Sequence, residues 1–179
     1  MVQFKKIIID RKTAQLANIS YIPDVLELVN TYREKLFDDY FLEDAASTAS
    51  ALVSLIERTS PYFWAVTGKD GDFKGFVYLD DWQGSSKKRH CATVTTCFDK
   101  RFWGKFTKRA GKLFVKYVFR KYKISKLKAE VYSSNKYAIS LLKQIGFTRE
   151  CTLKSETYVC NKPVDIDIYS IIKCANAQN

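Results

Sequence analysis

Apolar side chains recur along this chain with two different periods, and each period predicts a different secondary structure. Residues 5–9 form a short β-branched run, which predicts a first strand. From residue 25 to residue 36, apolar side chains recur every three or four positions, which predicts a helix with Pro23 in its first turn. A second helix is predicted over residues 45–58, and its buried side is expected to consist of Ala49, Leu52, Val53 and Ile56.

The rest of the chain alternates between short strand-like runs and two further helical patterns. Helices are predicted at 108–122 and 136–144, a polar loop at 80–88, and strands at 62–67, 75–79, 89–98, 127–132, 147–153 and 164–172. Asn135 and Gly146 are typical of the start and the end of the last helix. This order predicts a mixed α/β fold, with a mostly antiparallel sheet of about seven strands, one parallel crossover and about four flanking helices.

Length and composition are typical of one folded domain. The 179 residues suit a single domain over 1–179, with the tail 174–179 expected to fray. Hydrophobic residues make up 46% of the chain and charged residues 27%, so both a core and a polar surface can form. No run reaches the roughly 20 apolar residues that span a bilayer, and the N-terminus lacks the features of a signal peptide. We therefore expect a cytoplasmic protein that does not enter membranes.

The cysteines and the single histidine are badly spaced for a metal site. The five cysteines are odd in number and include no C-x-x-C pair, so a disulfide framework and structural zinc both fit poorly. His90 precedes Cys91 in a predicted strand, where neighbouring side chains point to opposite faces. We expect reduced thiols, a structural or surface role for His90, and no bound metal.

Positive charge is concentrated in one part of the chain. The net charge is +11, and residues 100–128 contain twelve Lys or Arg and no Asp or Glu. On a helical wheel the apolar side consists of Ala110, Phe114, Tyr117 and Val118. The opposite side is a basic stripe that consists of Lys105, Arg109, Lys112, Lys116, Arg120 and Lys123. Such a stripe is either a solvated outer face or a landing site for a phosphate-rich cofactor or for nucleic acid.

The segment 99–107, between a predicted strand and a predicted helix, has the composition of an anion-binding turn. A strand that turns sharply into a helix leaves the first N–H groups of that helix without partners, and the helix dipole adds positive potential there. Gly104 supplies the conformational freedom of such a turn, and Arg101, Lys105 and Lys108 add positive charge. The segment therefore predicts a phosphate or pyrophosphate site, the alternative being a simple turn.

Three sequence features follow one another in an order that is typical of a known family. The segment 99–107 contains the run Phe-Trp-Gly-Lys, Asn135 is followed by an alanine and later by Gly146-Phe147, and the segment 164–171 reads Val-Asp-x-x-x-Tyr-Ser-Ile. Together these features resemble the pyrophosphate loop, the Asn…Gly-Phe motif and the closing strand of the GNAT superfamily of N-acetyltransferases. The closest similarity is to the branch that contains the bacterial ribosomal-protein N-terminal acetyltransferases.

The resemblance implies an acetyl-CoA site and assigns residues to it. Backbone N–H groups of residues 102–107 would hold the pyrophosphate, the strand end at 96–98 would pair with the pantetheine arm, and Asn135 would contact the cofactor or an ordered water. Arg101 and Gly104 match the first two fixed positions of the family's loop. The implied cofactor-binding residues are Thr96, Cys97, Phe98, Arg101, Phe102, Trp103, Gly104, Lys105, Phe106, Thr107 and Asn135.

The resemblance is weaker at the positions that carry the chemistry. Phe106 stands where the family has a small residue, so its ring either crowds the phosphates or turns away from them. Many relatives have a tyrosine as general acid where this chain has Leu142, and the ribosomal-protein branch often has a serine where this chain has Ala138. The acidic residue of that branch would fall near Thr157, which makes Glu156 the candidate catalytic residue.

These observations lead to one main functional expectation and two alternatives. The main one is an acetyl-CoA-dependent N-acetyltransferase that acts on a primary amine, with a protein N-terminus or a small amine as acceptor. The first alternative is a non-catalytic acetyltransferase-like module that binds CoA or RNA. The second is an acetyltransferase whose acceptor amine is carried by RNA, such as a charged tRNA, with the basic stripe contacting that RNA.

Overall fold

The computed structural model describes residues 1–32, 48–85, 88–159 and 161–173. The strands are β1 Gln3–Asp10, β2 Gln15–Ala17, β3 Phe63–Thr67, β4 Phe73–Gly84, β5 Arg89–Phe98, β6 Lys126–Tyr132, β7 Thr148–Val159 and β8 Lys162–Ile172. The helices are α1 Ile22–Thr31, α2 Ala49–Thr59, α3 Lys105–Tyr122 and α4 Lys136–Ile145.

All the strands belong to one sheet, whose order is β2-β1-β3-β4-β5-β6-β8-β7. Every neighbouring pair is antiparallel except β5 and β6, which are parallel and are joined by the crossover helix α3. The mixed, mostly antiparallel sheet with one parallel crossover is thus confirmed. The described part of the sheet has eight strands rather than about seven, because the short strand β2 folds back on β1.

Helices cover both faces of the sheet, and the alternation of strand side chains divides the core accordingly. Phe63 and Ala65 of β3 pack in the cluster that includes α1 and α2, whereas Trp64 and Val66 pack in the cluster that includes α3 and α4. All five residues of β3 are therefore buried. A central strand that is covered on both faces reads as a continuous apolar run, as this one does in the sequence.

The predicted polar loop at 80–88 is wrong in its first half. Strand β4 continues to Gly84 and stays paired with β5, although the register shifts in this part. Asp81 has a φ of +43°, and the ring of Trp82 packs against that of Tyr62 with centroids 4.7 Å apart. A bulge lets the strand continue through polar residues, which hide it in the sequence pattern.

Two smaller predictions also need correction. Ala49 is exposed and Val53 only half-buried, so the buried side of α2 is instead Leu52, Leu55, Ile56 and Thr59. Strand β7 runs six residues beyond the predicted end at residue 153, to Val159. It is an edge strand with mostly exposed side chains, and a strand of that kind carries little apolar alternation.

The predicted ends of the last helix agree with the structure, whereas the start of α3 does not. The side-chain oxygen of Asn135 caps α4 by accepting the N–H of Ala138 at 3.1 Å, and Gly146 ends that helix with a φ of +114°. Helix α3 begins at Lys105, three residues earlier than predicted, with Gly104 as its N-cap residue.

Some predictions concern residues outside the described ranges, and others can be compared with the structure only within those ranges. Four predicted features lie outside the described residues: the first part of the predicted second helix (45–47), Leu36, the tail 174–179 and the last two cysteines. Cys91 is a buried free thiol and its neighbour His90 is exposed, as expected for adjacent strand positions. None of the helices in the described ranges is long and apolar enough to cross a membrane.

Candidate active site

A cleft opens where the two parallel strands β5 and β6 part. They pair only through Cys91, Ala92 and Thr93 of β5, although each strand stays paired along its other edge, β5 with β4 and β6 with β8. Beyond Thr93 lies a cavity of about 390 Å³, lined by residues 93–97 of β5, residues 129–132 of β6 and one side of α4. Among the described strands, the sheet is thus split at the one parallel pair.

The parted edge of β5 offers backbone groups to an extended ligand. A strand without a neighbour presents N–H and C=O groups that a polar chain can pair with, as in strand addition. Thr96 and Cys97, which were assigned to the cofactor, line this cleft. Burial raises the pKa of the Cys97 thiol to about 12, so the thiol stays protonated at neutral pH.

The backbone of the turn after β5 is largely used by the turn itself. The carboxylate of Asp99 accepts the N–H of Arg101 at 2.8 Å, and the Asp99 carbonyl accepts the N–H of Phe102 at 2.9 Å. The N–H of Trp103 donates to the carbonyl of Lys100 at 3.2 Å. The expectation that the amides of residues 102–107 all face a pyrophosphate is therefore wrong for the first two.

Three amides remain at the start of α3. The Thr107 hydroxyl accepts the N–H of Gly104 and donates to the Gly104 carbonyl, both at 3.1 Å. The N–H groups of Lys105, Phe106 and Thr107 have no acceptor in the part of the chain that the structure describes. Gly104 has a φ of +95°, and an added Cβ there would meet nothing within 4 Å. Open space therefore lies beside a helix N-terminus with free donors.

Arg101 and Lys105, two of the three cationic side chains of the turn, differ in their partners. The guanidinium of Arg101 donates to the Asp99 carboxylate at 2.5 and 2.8 Å, and these hydrogen bonds hold the pKa of Asp99 below its usual range. Lys105 is exposed and forms no ion pair with a described residue. Lys105, at the start of α3, is therefore available to an anion.

The ring of Phe106 belongs to a small aromatic cluster. Its centroid lies 6.4 Å from that of Phe98 and 6.0 Å from that of Phe102, and the side chain is half-buried. The ammonium group of Lys74 lies 4.0 Å from the centroid of the Phe102 ring. Packing within this cluster explains why a large residue is tolerated where the family has a small one.

An aromatic contact joins the elements on the two sides of the cleft. Trp103 follows β5 and Tyr137 belongs to α4, which follows β6; their ring centroids are 5.8 Å apart. Trp103 is 44% exposed and Tyr137 77% exposed, so the contact lies at the surface. Asn135, Ala138 and Leu142 line the cleft from α4.

The opposite side of the cleft carries carboxylates, and one of them, Asp80, belongs to the segment that the sequence pattern had placed in a loop. Asp80 of β4 and Glu130 of β6 line the cavity. Burial is the main cause that raises the pKa of Asp80 to about 6, the neighbouring Asp81 adds to this, and Arg58 opposes it. Recognising β4 as a strand beyond residue 79 would have found Asp80, because Phe76, Tyr78 and Asp80 share one face.

The structure does not bring Glu156 to this cleft. Glu156 is exposed on the edge strand β7, at a register shift between Leu153 and Thr157, and it is not among the residues that line the cavity. The assignment of Glu156 as catalytic therefore receives no support from its position. Leu142, by contrast, does lie at the cleft, as the resemblance implies for that position.

Comparison with known proteins assigns the fold and the family. A family model described as the acetyltransferase (GNAT) domain matches residues 20–148, which is more than half of the chain. No curated protein matches the sequence.

Solved structures with the same fold include several acetyltransferases. A spermidine N-acetyltransferase from Vibrio cholerae, in complex with CoA and spermine, is 16% identical with a TM-score of 0.75, over 96% of this chain and 95% of that one. A ribosomal-protein-S5-alanine acetyltransferase from Vibrio fischeri is 18% identical with a TM-score of 0.70, over 90% of this chain and 92% of that one. A GNAT-family acetyltransferase from Bacillus anthracis is 15% identical with a TM-score of 0.73, over 96% of this chain and 94% of that one.

Proposed function

Because the chain belongs to the GNAT family of acetyltransferases, we propose that it transfers the acetyl group of acetyl-CoA to a primary amine, and that this amine is the α-amino group of a protein. The observation that carries the proposal is the parting of β5 from β6 immediately beside the free amides of α3. An extended, phosphate-bearing cofactor needs both features next to each other.

The described residues fit acetyl-CoA in two places. The free amides of residues 105–107 and the Lys105 side chain suit the pyrophosphate, since a helix N-terminus favours anions. The unpaired edge of β5 at Thr96 and Cys97 suits the amide-containing pantetheine arm. When bound, acetyl-CoA supplies a thioester whose carbonyl carbon an uncharged amine can attack.

Charge is arranged oppositely at the two ends of the cleft. Lys105 lies at the end that would receive phosphates, whereas Asp80, Asp81 and Glu130 line the part of the cavity near the last paired residues of the strands. Carboxylates in a partly desolvated cavity attract an ammonium group. This arrangement supports a cationic amine as acceptor and an anionic cofactor as donor.

The finer choice of a protein N-terminus rests on the resemblance to the ribosomal-protein branch, whereas the solved structures of the same fold include enzymes named for spermidine as well as for a ribosomal protein. An acceptor panel decides between these classes. It should contain a peptide with a free N-terminus and no lysine, an N-blocked peptide with one lysine, and spermidine. Release of the CoA thiol and the mass of each acceptor are measured together.

The expected result is one added acetyl group on the first peptide and slower transfer to the other two acceptors. Transfer confined to spermidine would contradict the choice of acceptor and leave the reaction class intact. Binding of acetyl-CoA without transfer to any amine would favour the non-catalytic module. No binding of acetyl-CoA at all would contradict the proposal as a whole.

A second candidate function, RNA contact, is supported by the outer face of α3. This basic face consists of Lys105, Arg109, Lys112, Lys116, Arg120 and Lys123, all exposed, and none forms an ion pair with an Asp or Glu of the described ranges. From Arg109 to Arg120 it spans about 16 Å at 1.5 Å per residue, too far for one pyrophosphate. A polyanion such as RNA can neutralise the whole row.

The position of the basic face suggests docking rather than delivery of the acceptor. The apolar side of α3, including Phe114 and Val118, is buried in the core, so the helix has no free apolar face for a lipid surface. Asp80 and Glu130 lie on the other face of the sheet, the one covered by α1 and α2. RNA on the basic face would therefore hold the protein in place while the amine enters from the opposite side.

A further inference from the structure

We propose that Asp80 is the catalytic residue that takes the proton from the acceptor's ammonium group; the inference rests on the proposed acetyl transfer. Asp80 of β4 is the register partner of Thr93 in β5. Thr93, in turn, is the last residue of β5 that pairs with β6, through Lys128. Asp80 therefore lies beside the point where the two strands separate, at the inner end of the cleft.

Asp80 is placed to meet an amine inside the cavity. It lines the cavity and is only half-buried, so its carboxylate is reachable from the cleft. It faces the same side of the sheet as Glu130, which stands two residues after Lys128 on β6. An amine in this part of the cavity thus meets carboxylates from the strands on both sides of the split.

The groups around Asp80 prepare it to bind and release a proton near neutral pH. The pKa of Asp80 is raised by burial, by Asp81 on the same strand and by Glu130 on β6. Arg58 of α2 lowers it, and the pKa lies at about 6. Tyr78, two residues earlier on the same face, is buried and its pKa is raised, so the phenol stays neutral. A base with a pKa just below the working pH is charged and still accepts a proton readily.

The other carboxylates are less suitable for this role. Asp81 accepts hydrogen bonds from Lys128 at 2.8 Å and from Thr93 at 3.2 Å, and these partners lower its pKa. A carboxylate that is held by a lysine is a weak base. Glu156 lies outside the cavity, as described above. Asp80 has no such lysine partner in the described part of the chain.

The proton transfer balances with the acyl transfer. The ammonium nitrogen gives one proton to a carboxylate oxygen of Asp80, and the freed electron pair forms the C–N bond with the thioester carbonyl carbon. The C–S bond then breaks with its electron pair on sulfur. The thiolate takes the second proton of the nitrogen through solvent, so that an amide, a thiol and a protonated Asp80 result.

This assignment also bears on the acceptor. An α-ammonium group has a pKa of about 7.7–8.0, whereas a lysine-type ammonium has a pKa of about 10.4. Proton transfer to a carboxylate with a pKa near 6 is therefore less unfavourable from an α-ammonium group than from a lysine-type ammonium group. The base supports the same acceptor class as the proposed function.

The experiment compares Asp80→Asn and Asp80→Glu with the wild-type enzyme and with Asp70→Asn. Asp70 lies in an exposed turn and provides the same chemical change away from the cleft. Acetyl-CoA affinity, kcat and KM for the free-N-terminus peptide are measured from pH 5 to pH 9. We expect Asp80→Asn to lower kcat about 100-fold or more with acetyl-CoA affinity within about twofold. Asp80→Glu should restore part of the rate, and Asp70→Asn should match wild type.

The pH profile separates a base from a structural residue. In wild type, kcat should fall below about pH 6 as Asp80 becomes protonated. In Asp80→Asn that limb should vanish, and the residual rate should rise about tenfold per pH unit through neutrality, following the fraction of free amine. A wild-type rate or an unchanged acid limb in Asp80→Asn overturns the assignment. If wild type itself transfers no acetyl group, the proposed function fails instead.

Discussion

The indole N–H of Trp103 donates a hydrogen bond to the backbone carbonyl of Phe98 at 2.9 Å. This bond ties the turn after β5 to the last residue of that strand. It also uses one lone pair of a carbonyl in the strand end 96–98, the segment that was expected to pair with a pantetheine arm. An extended ligand that pairs with β5 at Phe98 would therefore share this carbonyl oxygen, which has two lone pairs, with the Trp103 indole.

Trp103→Phe should weaken acetyl-CoA binding by about fivefold. The substitution keeps an aromatic ring next to Tyr137 but removes one net hydrogen bond, worth about 1 kcal/mol, that fixes the turn. Calorimetric titration measures the change. Tryptophan emission should respond to acetyl-CoA in wild type and in the control Trp82→Phe, and should lose that response in Trp103→Phe. A response that disappears only in the control would place the ligand elsewhere.

Gly104→Val should reduce acetyl-CoA affinity at least tenfold. The valine side chain would fill the open space beside the free amides, where the phosphates are proposed to lie. Gly71→Val is the matched control, because Gly71 also has a positive φ, +86°, and an added Cβ there comes no closer than 4.0 Å to another group. Both variants should lose similar stability, about 1–2 kcal/mol, from the backbone strain. Equal affinities in the two folded variants would exclude this turn from the site.

Phe106→Ala should cost stability rather than affinity. Its ring packs against Phe98 and Phe102, so truncation should lower the free energy of unfolding by about 2 kcal/mol in urea titrations, less than for a fully buried phenylalanine. Acetyl-CoA affinity should stay within a few-fold of wild type. Leu113→Ala, an exposed position on the same helix, should change neither quantity. A large loss of affinity without loss of stability would mean that the ring itself holds the cofactor.

Charge reversal on the basic face should separate RNA contact from cofactor binding. Lys112→Glu with Lys116→Glu should leave acetyl-CoA affinity nearly intact and weaken binding of a fluorescent RNA hairpin. The slope of log K against log salt should flatten by roughly 1.5, since each lost phosphate contact contributes about 0.7–0.9. Lys12→Glu with Lys69→Glu changes the net charge equally at exposed sites elsewhere and serves as the control. Equal weakening in both double variants, or no wild-type binding at about 0.15 M salt, would contradict the proposal.

Asp80→Asn should stabilise the protein at neutral pH. The pKa of Asp80 is raised from 3.8 to about 6, so between those values the folded state binds more protons than the unfolded state. The wild-type carboxylate therefore reduces stability as pH rises through this window, and the full penalty is present above it. The variant should be more stable at pH 7.5, by at most about 3 kcal/mol, and the gain should largely vanish by pH 4. Thermal melts across this range measure the difference, with Asp70→Asn as control.

The amino-acid sequence by itself determined the local features of this protein. Asn135, Gly146 and Gly104 mark helix ends because capping and positive-φ positions depend on a few neighbouring residues. The spacing of Val25, Leu28 and Val29 likewise predicted the helix α1, in which all three are buried. The order of these elements was sufficient to predict the mixed α/β fold and the turn that precedes α3.

Only the tertiary structure decided which groups meet at the cleft and which of them are free. Asp80 was hidden because a bulged strand through polar residues has no local signature, and its pairing with Thr93 joins positions distant in sequence. The amides of Phe102 and Trp103 turned out to be satisfied within the turn, which composition cannot reveal. The position of Glu156 likewise depends on tertiary structure, because the pairing of β7 with β8 puts this residue on the exposed edge of the sheet.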